Sequence, residues 1–198
     1  MKIIGITGGT GAGKTTALRA LESLGALIID ADQVYHELTA KSAPMRRDLE
    51  AHFGSVYGAD GCLDRKKLGN IVFQDPEALK DLNRLVHHYV GAEIDRQLQL
   101  AREQGYPAAA IDAIELLGSG LGDKCDVSVA VTAPIEVRIR RIMAREGISE
   151  EYARLRAMAQ RDETYFKEHC DYTLENVEES PAAFGARAQI FFRKLLGL

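Results

Sequence analysis

Residues 7–16 read TGGTGAGKTT and follow the apolar run KIIGI (2–6) directly. Gly8, Gly13, Lys14 and Thr15 satisfy the spacing G-x-x-x-x-G-K-[ST], which turns consecutive backbone N–H groups inward around phosphate oxygens. The helix that must follow adds free N–H groups and the positive end of its dipole. In that frame Gly11, Ala12 and Gly13 form the cradle and Lys14 reaches the β- and γ-phosphates. The Thr15 hydroxyl coordinates magnesium, and Thr16 adds an α-phosphate contact. This is the chemistry of holding a nucleoside triphosphate. A dinucleotide-binding G-x-G-x-x-G turn is the nearest rival. Here Gly9 and Gly11 are followed by Lys14 where the third glycine belongs, and a lysine there suits a terminal phosphate.

A held triphosphate needs something to receive or release its phosphate. The run ALIID ends in IDAD (29–32), an acidic strand end on the side where doubly wound sheets bind ligands. Asp32 is the preferred base toward an acceptor hydroxyl, with an orienting role as important as proton removal. A helix N-cap is the competing use of Asp30 or Asp32. Asp112 closes a later strand and can support magnesium through water, or simply end the strand. In PIEVRIRRIMAREG (134–147), Arg138, Arg141 and Arg145 recur at helical spacing. They either close over phosphates, with Arg141 stabilising charge developing in transfer, or form a solvated basic face paired with glutamates. Arg156 and Gln160, four apart, extend that lid or belong to a surface helix. His87 and His88 lie in LVHHYV without a metal-ligand partner at useful spacing.

These residues need a scaffold. KIIGI (2–6), ALIID (26–30), AAAIDA (108–113), VSVAVT (127–132) and DYTLEN (171–176) read as short strands separated by helices. That pattern predicts an α/β fold with a parallel sheet covered on both faces, of the phosphate-loop nucleotide-kinase type. TTALRALESL (15–24) continues the loop as a helix. Residues 33–107 exceed what one crossover needs and form an inserted, mainly helical acceptor-binding lobe, with helices over 45–53, 64–73 and 76–104 and a break at Pro44. Residues 134–168 form an arginine-rich lid region. The whole is a single domain, 1–198. The C-terminal AAFGARAQIFFRKLLGL reads as an amphipathic helix that packs on the core in preference to a membrane surface.

Composition sets the outer limits. The chain has 198 residues, 46% hydrophobic, with a formal net charge of −4, so it offers no global basic surface for nucleic acid. Cations that meet phosphate must be concentrated locally. Cys62, Cys125 and Cys170 form no CxxC pair, which points to a reduced chain without a cysteine metal cluster. No stretch approaches the about 20 apolar residues of a membrane span. A cytoplasmic, soluble and monomeric protein is expected, with no nucleic-acid or membrane partner.

Beyond the loop, several further stretches occur in a recognisable order: IDAD, FG (53–54) with DGCLDRKKLGNIVF (60–73), His87, IDA–LL–SGL (111–121), CDVSVAVTAP, RRIMAR, RAMAQ (156–160) and DYTLEN. Over residues 1–176 this combination resembles dephospho-coenzyme A kinases. The resemblance implies magnesium-dependent transfer of the ATP γ-phosphate to the ribose 3′-hydroxyl of dephospho-CoA. It implies that Asp32 engages that hydroxyl, that Lys14 and Thr15 contact ATP and magnesium, and that His87 and Arg65 serve the acceptor lobe. Arg141 and Arg145 match the lid, and Asn176 matches an asparagine near the ATP base. A kinase for another nucleoside or nucleotide is the alternative. A nucleotide-driven switch is disfavoured by the lack of a guanine-selective NKxD sequence.

Two positions depart from the pattern. His88 stands where a proline usually follows the lobe histidine, so a different local helix start is expected. The family's Asp–Ala–Pro–Leu–Leu–Phe–Glu appears as DAIELLG, with Ile114 for proline and Gly118 at the glutamate position. Glu115 is three residues earlier, too far along an extended chain to replace that carboxylate.

Overall fold

The computed structural model describes residues 1–177 and 180–198, and the chain divides into two compact units. One comprises Met1–Ile29 and Ala101–Leu198, the other Asp30–Leu100.

The first unit is built on a five-stranded sheet: β1 (Lys2–Thr7), β2 (Leu27–Asp30), β3 (Ala108–Asp112), β4 (Val127–Thr132) and β5 (Tyr172–Glu175). Their order is β2-β3-β1-β4-β5. β1 pairs in parallel with β3 and β4, and β4 in parallel with β5. The near-continuous apolar character of β1, β3 and β4 follows from burial on both faces, which parallel sheets require. Central placement of β1 puts the loop that leaves it at the middle of the sheet's carboxyl edge. The register sets Ile6 opposite Asp112, so the acid of β3 lies beside the start of that loop.

On one face, α1 (Lys14–Ser23) packs against α9 (Pro181–Leu196). Leu21 of α1 and Phe184, Ala188 and Phe192 of α9 are fully buried with Ile4 and Ile6 of β1. Removing each large side chain from water contributes about 1.5–3 kcal/mol. The C-terminal helix therefore docks on the core, as its apolar stripe predicts. After β4 the chain forms α6 (Ile135–Glu146), α7 (Glu150–Met158) and α8 (Glu163–His169). Ile139 and Ile142 of α6 meet Ala153 and Ala157 of α7 in a small core of their own.

The second unit contains α2 (Ala31–Lys41), α3 (Ala43–Phe53), α4 (Arg65–Val72) and most of α5 (Pro76–Glu103). Its core gathers Met45, Leu49, Phe53, Val56, Tyr57, Leu68 and Val72. The break expected at Pro44 falls instead at Ser42. That side chain accepts from Met45 N at 3.3 Å, and Pro44 occupies the first turn, where its missing N–H costs nothing. α5 runs unbroken through His87 and His88, so no helix starts there. Among the described residues, no helix is long and apolar enough to cross a membrane.

Candidate active site

The loop between β1 and α1 bends back on itself through Ala12 N–H donating to Gly9 O at 3.1 Å. Gly13 stands at the N-cap of α1 with φ 109°, a left-handed conformation that disfavours any side chain. A Cβ there would also lie 2.3 Å from Asn176 Nδ2. Lys14 and Thr15 open the helix, where the free N–H groups and the dipole favour an anion. The loop walls a cleft of about 360 Å3 together with Ile114, Arg141 and Arg145. Backbone donors, a lysine and two arginines thus converge on one space.

Lys14 Nζ lies 2.6 Å from Asp112 Oδ1, both side chains being less than one-fifth exposed. Asp112 is fixed from two sides: Ala113 N–H donates to Ile6 O at 3.1 Å, and the Thr7 hydroxyl donates to Ile114 O at 2.9 Å. The Thr15 hydroxyl and the Asp112 carboxylate are hard oxygen donors on neighbouring elements. Among the described residues no three acids, histidines or cysteines cluster as a metal cage. Magnesium needs none, since it keeps waters and takes one or two protein oxygens plus phosphate oxygens. The donor set fits that ion. Thr16 is half-buried in α1, its methyl 3.5 Å from the position a Cβ of Gly185 would take, so it faces α9.

Three of the arginines of α6 take three different roles. Arg141 donates through Nη1 to Gly11 O at 3.3 Å and Ala12 O at 3.4 Å, and through Nη2 to Asn176 Oδ1 at 3.2 Å. Arg145 is exposed at the cleft and pairs with Glu146 at 2.6 Å. Glu146 also pairs with Arg156, and the hydrogen bond from Arg145, with both cations nearby, holds its carboxyl below the usual range. Arg138 fits neither expectation. It is 5% exposed and turned toward the back of the loop, with Nε donating to Thr10 O at 3.0 Å. Burial lowers its pKa, an effect partly opposed by the Glu163 carboxylate. Gln160, read as surface helix, bonds both Thr10 and Arg138.

Asn176 is 4% exposed at the end of β5, its N–H donating to Thr132 O at 2.7 Å. Its side-chain Nδ2 donates to Ala12 O at 2.8 Å while Oδ1 accepts from Arg141. The amide thus holds the loop and Arg141 together. Sequence spacing had no means of showing this, because Asn176 and Ala12 are 164 residues apart.

In the DAIELLG segment the chain does not stay extended. Ser119 N–H donates to Glu115 O at 2.9 Å, a helical turn. Residues three apart in such a turn share a face. Glu115 Oε2 accordingly lies 3.2 Å from the place a Cβ of Gly118 would occupy. The separation expected from an extended chain is corrected: the turn brings the Glu115 carboxylate beside position 118.

In the second unit, Asp30 caps α2 by accepting from Gln33 N at 3.0 Å, which leaves Asp32 exposed in the first turn and free of the capping role. Arg65 begins α4, after Asp64 has capped it. Its Nη2 lies 2.5 Å from His36 Nδ1, and its guanidinium stands 6.0 Å from the centre of the Tyr35 ring. His36 is one helical step of four from Asp32, so Arg65 meets the α2 face that carries Asp32. His36 was not anticipated as a partner; the i,i+4 spacing is the signal that reveals it. His87 is exposed on α5, and adjacent Val86 and Tyr89 pack against the lobe core. The cysteines are free, and burial pushes the Cys125 thiol up to about 12, which removes it as a nucleophile.

A phosphate loop, a basic clamp and a separate helical unit suit several kinases. The choice among them is made by comparison with known proteins: a family model for dephospho-CoA kinase matches residues 2–181. The chain belongs to the dephospho-CoA kinase family. It is 39% identical over 161 residues to the dephospho-CoA kinase of Geobacter sulfurreducens, covering 81% of this chain and 82% of that one. Among solved structures, TT1252 from Thermus thermophilus superposes with a TM-score of 0.80 at 30% identity, covering 98% of this chain and 97% of that one. The dephospho-CoA kinase from Campylobacter jejuni does so with a TM-score of 0.72 at 26% identity, covering 100% and 98%. As a dephospho-CoA kinase family member the chain is a P-loop phosphotransferase that uses ATP to phosphorylate dephospho-CoA.

Proposed function

We propose that this transfer goes to the ribose 3′-hydroxyl of dephospho-CoA, giving coenzyme A and ADP, with the donor held in the loop–α6 cleft. The observation that carries the donor half of this reading is the convergence of Lys14, Arg141 and Arg145 on the space walled by the glycine loop; the family match supports the acceptor. Phosphoryl transfer needs little covalent help from the protein; positioning and charge neutralisation dominate. Lys14 exchanges Asp112 for the β- and γ-phosphate oxygens. Arg141 and Arg145 neutralise charge on the transferring group, Arg145 leaving Glu146 to do so. Asn176 serves ATP indirectly, by holding Arg141 and Ala12. Thr15 and Asp112 would hold magnesium, which when bound draws charge from the phosphate oxygens.

On the acceptor side, residues 33–107 form the acceptor lobe and 134–168 the lid. Asp32 orients the 3′-hydroxyl and accepts its proton, Arg65 attracts an acceptor phosphate, and His87 contributes to the same lobe. The enzyme is proposed to work as a monomer in the cytoplasm. Incubation with ATP, magnesium and a panel of nucleoside, nucleotide and dephospho-CoA acceptors is expected to give dephospho-CoA the highest kcat/KM. Preference for a nucleoside monophosphate would replace this acceptor assignment, the alternative that Ile114 and Gly118 keep in play.

The relocated carboxylate supplies a separate prediction. Glu115→Ala is expected to lower kcat/KM for dephospho-CoA by about ten-fold, equivalent to ~1.4 kcal/mol. Adding Gly118→Glu should restore most of it, since the atom that a Cβ at 118 meets, Glu115 Oε2, is gone in Glu115→Ala. Steady-state kinetics of the single and double variants check this, and a double variant no better than Glu115→Ala would refute it.

A further inference from the structure

The phosphate-loop spacing fixes Gly8, Gly13, Lys14 and Thr15 but leaves positions 9–12 open, and here two of those four are glycine. Their reason lies behind the loop. A Cβ on Gly9 would come within 2.3 Å of the Arg138 guanidinium, and one on Gly11 within 2.7 Å of the Arg138 carbonyl oxygen. Both glycines admit Arg138.

Between them, Thr10 has its main-chain and side-chain groups engaged from the same direction. Its N–H donates to Gln160 Oε1 at 2.7 Å, its Oγ1 accepts from Gln160 Nε2 at 2.9 Å, and its carbonyl accepts from Arg138 Nε at 3.0 Å. Arg138 Nη2 closes the circuit on Gln160 Oε1 at 2.7 Å and reaches Ala157 O at 3.4 Å. The network is partly buried and centred on the buried Arg138, so opening it leaves that guanidinium short of acceptors where water reaches it poorly. Arg138 comes from α6, while Ala157 and Gln160 come from α7 and the turn after it. The Thr10 N–H is committed away from the cleft and does not cradle phosphate.

We infer that Arg138 and Gln160 are positioning residues for the triphosphate, setting the Gly9–Thr10–Gly11 turn from behind and tying it to α6 and α7 without touching phosphate. Arg138 donates to neutral oxygens, and its charge, partly offset by the Glu163 carboxylate, adds to the positive potential of the loop. Preorganised backbone donors lose affinity when their turn can relax, even with each donor still present. The same circuit makes the loop's shape depend on α7 staying packed against α6. This inference rests on the donor site proposed above, and not on the identity of the acceptor.

The test reads ATP binding by titration calorimetry, the KM for each substrate and the thermal midpoint, in the full chain. Gln160→Leu is expected to raise the ATP Kd and KM about ten-fold while the KM for dephospho-CoA stays within two-fold. Gln160→Glu, which keeps an oxygen for Thr10 N–H and for Arg138, should recover ATP affinity to within three-fold. Thr10→Val together with Gln160→Leu should cost little more than Gln160→Leu alone, since both act on one circuit. A folded Gln160→Leu with a native ATP Kd, or a Gln160→Glu as weak as Gln160→Leu, overturns the inference. If Gln160→Leu does not fold, Thr10→Val decides: three-fold weaker ATP binding supports the role, unchanged binding removes it. ATP titration needs no acceptor, so a native chain inactive on dephospho-CoA fails the acceptor reading and leaves this result intact.

Discussion

Lys14→Ala is expected to lower kcat by about a thousand-fold, a loss of ~4 kcal/mol of transition-state stabilisation. Lys14 is the cation at the head of α1, where the loop N–H groups and the helix dipole already favour negative charge. Charge moves toward the β–γ bridging oxygen as the phosphoryl group leaves, and an ammonium there gains most in the transition state. The Lys14–Asp112 pair adds a second effect. Without the lysine, the Asp112 carboxylate loses this cation beside the cleft, so ATP binding weakens as well. The double variant Lys14→Ala/Asp112→Asn should therefore bind ATP more tightly than Lys14→Ala and still turn over slowly. Single-turnover kinetics and ATP titration separate the two effects, and a kcat within ten-fold of the native chain would remove Lys14 from the chemistry.

Asp32→Asn is expected to lower acceptor-dependent turnover by about a hundred-fold, the usual scale for losing a positioned base, with ATP affinity kept within two-fold. The structure makes this a clean comparison, because Asp30 caps α2 and Asp32 does not. Asp30→Ala should cost about 1 kcal/mol of stability as a lost cap. Asp32→Asn should cost no more than the few tenths due to the helix dipole. A stability loss in Asp32→Asn with normal turnover would reverse the two roles.

What could be read from the sequence follows from distance along the chain. The loop was legible because its glycines, lysine and threonine act within ten residues. The strands were legible because double-sided burial demands continuous apolar runs such as VSVAVT, found at Val127–Thr132 as expected. The longest helix was placed to within one residue, at Pro76–Glu103, because its period persists over many turns. Strand order was not legible, since pairing of β1 with β3 and β4 is decided by packing rather than local pattern. Arg138 and Gln160 stand out in the sequence as lid candidates, but their place behind the loop does not, for the same reason: their partner Thr10 lies 128 and 150 residues away. For Glu115 the expectation of an extended chain misleads, because the segment after β3 closes a turn through Ser119 N–H and Glu115 O and changes which residues are neighbours.

The central claim is tested most directly by locating the phosphate on the product. Purified chain, ATP, magnesium and dephospho-CoA should yield stoichiometric ADP and an acceptor heavier by one phosphoryl group, with phosphorus NMR placing that group on the ribose 3′-oxygen. Lys14→Ala run in parallel should give almost none. ADP released without a phosphorylated acceptor, or a phosphate placed elsewhere on the molecule, would contradict the account.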